Sequence, residues 1–495
     1  MTSDRRRRPP NLACQEDAIP FRSHRLNLPN CIMLSASCRG DFCFLTLVVM
    51  TNRFFARVCP VFVFLLAAVL VWPESAPAYA VLSHEAIIDA AWESHIKPLL
   101  LKKYPQATEE DLSRAQAYAY GGSIIQDMGY YPFGSPFFSD LTHYVRSGDF
   151  IQALLRDSQD LYEYAFAIGA LAHYAADNEG HRIGTNRAVP VLYPGLGRKY
   201  GASVTYEDAK LAHVKTEFGF DVLEIAKERY APDGYHDFIG FEVAGRVLDQ
   251  AFLETYGLEL RSVLLNEDKA LNSYRRDVSK LIPKATRIAW QLKKDEIKGD
   301  IPDATEKRFL YNLSRSNYER EWGKNYKKPT PGEVFLAFLY RLVPKFGSLK
   351  VLEFRTPTPE TEHMFEASFN STLSRYRKSL NEAGQGTLAL ENDNFDVGES
   401  TAPGKYRLND EAHATLLDKL TQTNFANLTS DAKAELLRFY ADPHAPYATK
   451  RKAKAWARVQ AQLLQLESAP ATLVTVGSGV SGEPRARPLR QTGDL

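Results

Sequence analysis

Between Tyr164 and Arg182 the chain reads YAFAIGALAHYAADNEGHR, an apolar run from Ala165 to Ala176 broken by His173 and followed by Asp177 and His181. Three turns of small and apolar residues, rich in Ala and free of Pro, predict a helix buried on nearly all sides. His173, Asp177 and His181 are spaced i, i+4, i+8, so on a helix they advance by about 40° per step and share a face. A carboxylate flanked by two imidazoles on a buried face is costly unless something positive joins it. Zinc takes such ligands, neutral imidazole nitrogen and carboxylate oxygen. The alternative is a buried His–Asp pair satisfied by hydrogen bonds, and three residues alone leave both open.

The five cysteines of the 495-residue chain are Cys14, Cys31, Cys38, Cys43 and Cys59. The rest of the chain therefore has neither a disulfide framework nor thiolate ligands, and a metal there must be held by His, Asp, Glu and backbone. Charge is nearly balanced, 61 Lys and Arg against 60 Asp and Glu, without the basic excess of an electrostatic nucleic-acid binder.

From Met50 the sequence has the three parts of a secretory signal: basic Arg53 and Arg57, an apolar stretch from Val58 to Trp72, and a small-residue end at Ala78-Tyr79-Ala80. The apolar run is about 15 residues where a span needs about 20, which predicts export and cleavage after Ala80 rather than anchoring. Residues 1–49, with four arginines at Arg5 to Arg8 and no periodic element, read as an over-long start, with Met50 the true one. A genuine cytoplasmic extension ahead of an uncleaved anchor is the alternative.

The mature body from Val81 reads as all-α. Ser83 can cap a helix carrying Ile87, Ile88, Ala91, Trp92, Ile96, Leu99 and Leu100 at helical spacing. A second helix starts near Thr108, and others are expected at 149–160, 160–178, 206–230, 236–266 and 268–295. Gly129 to Phe138 is an aromatic loop broken by Gly and Pro. The connection from His181 to His213 contains Pro190, Pro194, Gly195 and Gly197, reads as a long loop, and is flanked by candidate ligands. Composition changes near residue 300, so a multi-helix domain at 81–300 is expected to be followed by a second helical domain at 301–468. Its helical patches lie at 305–325, 331–344, 359–383 and 409–467, with a polar loop at 390–406 and a disordered tail over 469–495.

Polar residues sit in the first half where apolar ones would be cheaper: His84, Asp127, His143, His173, Asp177, His181, His213 and Glu217. The remaining histidines, His24, His95, His236, His363, His413 and His444, read as surface residues. The order His, Asp, His, HxxxD, His, HxxxE over Val81 to Phe220 resembles the superfamily of zinc-dependent phospholipase C and S1/P1 nuclease, which is all-helical and binds three zinc ions.

The resemblance implies one zinc held by Asp127, His143, His173 and Asp177, and a second by His181, His213 and Glu217. A third would share Asp177 and use His84 with the amino group and carbonyl of Val81, freed by cleavage. It implies phosphoester hydrolysis by zinc-activated water, with Asp127 orienting or deprotonating that water. Arg182, Arg187, Arg198, Tyr130, Tyr131, Phe137 and Phe138 are candidates for phosphate or headgroup contact, each equally readable as packing or a solvated charge.

The pattern also departs from the family. Three residues rather than five separate Asp177 from His181, Val81 stands where a Trp is usual, and the second helical domain is foreign to both branches. Glu217, where the nucleases carry Asp, leans toward the phospholipase side. The leading expectation is an exported zinc phospholipase C, with a phospholipid substrate, peripheral membrane contact and no obligate protein partner. A nuclease acting on nucleic acid, or a metal-stabilised envelope protein, are the alternatives.

Overall fold

The structure is a computed structural model that describes residues 33–38, 43–48, 81–226, 241–264, 266–276 and 353–472. The chain divides into two compact units, Met1–Ala68 and Val69–Leu495. In the first, strands β1 (Met33–Cys38) and β2 (Cys43–Val48) form an antiparallel hairpin with Met33 opposite Val48 and Cys38 opposite Cys43. A periodic element is thus present where none was expected; in MLSASC, Leu34 and Ala36 alternate with Ser35 and Ser37 as in a strand. The expected signal, Arg5 to Arg8 and the cleavage position lie outside the described residues.

The second unit is helical, as read from the sequence. Its helices in the first half are α1 (Val81–Ala91), α2 (Lys97–Lys103), α3 (Glu109–Gly122), α4 (Pro136–Tyr144), α5 (Ser147–Asp157), α6 (Leu161–Glu179), α7 (Asn186–Leu192), α8 (Pro194–Tyr200) and α9 (Tyr206–Ala226). These are followed by α10 (Gly245–Tyr256), α11 (Leu260–Val263) and α12 (Glu267–Arg276), then α13 (Pro359–Gln385), α14 (Arg407–Gln422), α15 (Ser430–Phe439) and α16 (Ala453–Ser468). A short hairpin, β3 (Asp393–Asn394) with β4 (Glu399–Ser400), sits in the polar loop between α13 and α14.

Local chemistry sets these boundaries. Thr108 and Asp111 form a reciprocal capping box that starts α3, and the Asp160 carboxylate accepts from Tyr162 N and Glu163 N to start α6. Ser83 does not act as the expected cap. α1 already begins at Val81, and Ser83 Oγ donates 2.7 Å to Asp221 on α9, beside a 3.0 Å bond from Leu82 N to the same carboxylate.

α6 is the axis of the unit, and all of it except Tyr162 is buried. It crosses α3 at glycines: a Cβ on Gly169 would lie 2.1 Å from Ala119 O, and one on Gly122 would lie 1.9 Å from Phe166 O. Only residues without a side chain allow that approach. The next layer comes from beyond residue 300. α13 packs along α6, with Tyr376 donating to Ile168 O at 3.0 Å and Ser371 to Glu179 at 2.8 Å. Arg375 bridges Glu179 of α6 and Asp393 of the β3–β4 loop.

The described part of the expected second domain therefore lies directly against the first, within one compact unit. The patches at 305–325 and 331–344 fall outside the described residues. The tail is ordered further than expected, since Thr472 N donates to Leu428 O at 2.9 Å; residues 473–495 lie outside the description. No helix among the described residues is long and apolar enough to cross a membrane.

Candidate metal centre

The connection after α6 is where the sequence reading needs correction. It is not a structureless loop. α6 runs into a π-helical turn, Gly180–Thr185, and then α7 and α8, and only a short coil precedes α9. Pro194 opens α8 in its first turn, where Pro is tolerated, and Pro190 sits inside α7 close to its end. The wider π turn contains His181 and re-aims it, a common use of such turns at functional sites. His173 and Asp177 share a face as expected, with His173 Nε2 3.1 Å from Asp177 Oδ2. The Nε2 of His181 faces Glu217 on α9 instead, at 3.3 Å.

Three groups of side chains result: His84 with His173 and Asp177, Asp127 with His143 and His173, and His181 with His213 and Glu217. In each, the ligand atoms lie within 4.8 Å of one another. All eight residues are at most 2% exposed. Asp177 joins the first two groups, reaching His84 Nε2 at 3.5 Å and His143 Nε2 at 3.3 Å. His143 Nε2 also lies 3.4 Å from Asp127 Oδ1, and His213 Nε2 lies 2.8 Å from Glu217 Oε1.

The far sides of the rings explain their aim. His143 Nδ1 lies 2.8 Å from Ser139 O, and His173 Nδ1 lies 3.0 Å from Ser123 O. A carbonyl can only accept, so Nδ1 carries a proton and Nε2 is the ring atom turned into the cluster.

The cluster favours added positive charge. Burial lowers the His143 pKa, but hydrogen bonds and charge from Asp127 and Asp177 overcome this and raise it to about 10. Burial likewise opposes the charge on Asp177, yet the surrounding imidazoles hold it well below the usual carboxylate range. At His84 burial wins, with repulsion from His173 added, and its pKa falls well below the ordinary value. The oxygens of Asp127, Asp177 and Glu217 accept no well-aligned hydrogen bond. Buried carboxylates in that condition are expensive. Their orphaned oxygens, with inward imidazole nitrogens and no thiolate, form a donor set that suits zinc.

The candidate substrate residues separate. Tyr130 lies at the cluster, its ring 6.3 Å from that of His143. Tyr131 and Phe138 are core residues, packed on Tyr274 and Phe252 respectively, and Phe137 is half-buried against the same core. Arg182 is ion-paired with Glu179, while Arg187 and Arg198 are exposed.

Sequence reasoning missed four neighbours. Tyr206 packs edge-on to His213 at 5.6 Å, and the Lys210 ammonium lies 4.9 Å from the Tyr206 ring. Phe395 and Asp396 reach His181 from the β3–β4 loop. His413, read as a surface histidine, is buried; its Nδ1 bonds Asn409 O and its ring stacks on Phe439. Its place in an i, i+4 register on α14 was the available signal.

No curated protein and no solved structure matches the chain. Residues 83–266 do match the sequence model of a family described as zinc dependent phospholipase C. That segment carries every residue of the three groups, and over residues 83–266 the chain is similar to the zinc-dependent phospholipase C family.

Proposed function

We propose that the chain is an exported zinc phospholipase C that hydrolyses the headgroup ester of phospholipids with three zinc ions. The observation that carries this reading is the set of three contiguous His/Asp/Glu groups, buried and free of thiolate, inside the family-matched segment. Asp127, His143, His173 and Asp177 would hold one ion, and His181, His213 and Glu217 another. His84, Asp177 and the amino group and carbonyl of Val81 would hold the third. Val81 is buried at the head of α1, one turn before His84, which is compatible with that assignment.

Zinc bound there supplies Lewis acidity, offsetting phosphoryl charge and lowering the pKa of water towards neutrality. Asp127, whose buried carboxylate faces His143 in the cluster, orients the attacking water and takes its proton. The imidazoles, locked through Nδ1, keep the geometry fixed while charge develops. The new bond forms between water oxygen and phosphorus, the glycerol-side P–O bond breaks, and the departing oxygen takes up a proton. The products are diacylglycerol and a phosphorylated headgroup. Tyr130, beside His143, is the side chain best placed to touch the substrate. Export through residues 50–80 would bring the enzyme to lipid surfaces outside the cytoplasm.

The test is a panel of phosphatidylcholine vesicles, other phospholipids and single-stranded DNA, each with and without chelator. Zinc-dependent release of diacylglycerol is the expected result. Cleavage of DNA alone would move the chain to the nuclease side, and zinc-loaded protein inert on every ester would refute the reading.

A further inference from the structure

Among the cluster histidines with a described Nδ1 partner, His143 and His173 take theirs from within residues 83–266, on Ser139 and Ser123. His181 does not. Its Nδ1 lies 3.1 Å from the carbonyl oxygen of Phe395 and 3.4 Å from Asp396 Oδ1, in a loop well outside the family-matched segment.

That loop is held firmly. Asp396 is 1% exposed, and its Oδ2 accepts from Tyr144 at 2.8 Å and also from Tyr406. Asp396 N donates to Asn394 Oδ1 at 2.9 Å, and its carbonyl accepts from Asn186 at 2.6 Å. Phe395 N donates to His143 O at 3.2 Å. Gly398 closes the turn at φ +64°, where a Cβ would lie 2.4 Å from Asn178 O, one residue beyond Asp177.

We propose that Asp396, with the Phe395 carbonyl, is the positioning residue of the His181–His213–Glu217 site, reaching it from outside the family-matched segment. The inference rests on the zinc reading above. Two acceptors converging on Nδ1 fix the proton there, so that Nε2 presents its lone pair towards Glu217. Two tyrosine hydroxyls on its other oxygen hold the Asp396 carboxylate in place against His181. Asp396→Asn keeps the volume but can turn an amide N–H toward His181 Nδ1, favouring the tautomer that blocks Nε2.

The experiment is zinc competition against a chromophoric chelator, counting ions and affinities for the wild type, Asp396→Asn and Tyr406→Phe. One ion should bind about 10–100-fold more weakly in Asp396→Asn, with the others unchanged. Tyr406→Phe, which removes one of two hydroxyls from the opposite oxygen and leaves Asp396 on His181, should weaken that ion by less than Asp396→Asn does. Equal affinities in wild type and Asp396→Asn, or equal weakening in Tyr406→Phe, would overturn the proposal. Nitrogen NMR of the zinc-loaded wild type gives a test without any variant: His181 should be protonated at Nδ1, and metal at Nδ1 would refute the assignment. A wild type that takes up no zinc would instead defeat the zinc reading itself.

Discussion

Asp177 is the side chain on which most of the cluster converges, since one carboxylate touches His84, His143 and His173. Asp177→Asn preserves its shape and removes its charge, so it should cost more than one zinc ion while leaving the His181 group loaded. A metal ion supplies several kcal/mol to a phosphoryl-transfer transition state, so hydrolysis should fall about a thousandfold or more. Elemental analysis showing full zinc content in this variant would contradict the assignment. The amino group of Val81 offers a second test at this scale. While the chain continues through that nitrogen it is an amide without a lone pair to give. A variant with a few extra residues ahead of Val81 should fold, keep about two ions and lose most activity; three ions and full activity would remove Val81 from the ligand set. Each of the eight side-chain ligand candidates was legible in the sequence because a polar residue inside an apolar helical pattern is conspicuous. Their grouping was less so, because the i, i+4 rule assumes a uniform α-helix and His181 sits in a π turn. Asp396 was not legible at all, lying 215 residues from His181 in a loop that reads as ordinary polar surface.

Helix positions follow from capping and apolar spacing, and the expected helices at 160–178 and 206–230 correspond to α6 and α9. What pattern alone does not reveal is how closely two helices approach. Gly169 and Gly122 carry no such signal in the sequence, yet they are where α3 and α6 meet. Gly169→Ala would drive a Cβ to 2.1 Å from Ala119 O and 2.9 Å from Ser123 N, forcing the helices apart. Overpacking of this kind typically costs about 1–3 kcal/mol. The Ser123 carbonyl also anchors His173, so zinc binding should weaken along with stability. Gly195→Ala in α8, where the nearest heavy atom would be Arg198 Nη2 at 3.8 Å, is the matching control and should lose nothing. Thermal melts with and without zinc would separate the two; equal stability of both variants would mean the crossing is looser than described.

At the scale of the molecule, the candidate ligands come from separate helices and turns, so zinc should act as a cross-link of the folded state. Binding only to the native form at a free concentration a thousandfold above the dissociation constant contributes about 4 kcal/mol. Chelation should therefore lower the melting temperature by several degrees, and restoring zinc should reverse the loss; an unchanged melt would show that the ions add nothing to the fold. The boundary expected near residue 300 meets a stricter test. A composition shift marks where a chain changes character, but it does not say whether the two sides share a core. Here α13 lies along α6, Tyr376 is buried against Ile168 O, Arg375 joins Glu179 to Asp393, and the β3–β4 loop reaches two of the cluster histidines. A chain ending at residue 300 would uncover that face of α6 and leave His181 without Phe395 and Asp396. It should be expressed as an aggregating or loosely packed species with diminished zinc content. Limited proteolysis of the whole protein should likewise yield no stable fragment ending near residue 300 that retains all its zinc. Recovery of such a fragment, monomeric, cooperatively melting and active, would show that the later helices are an accessory after all.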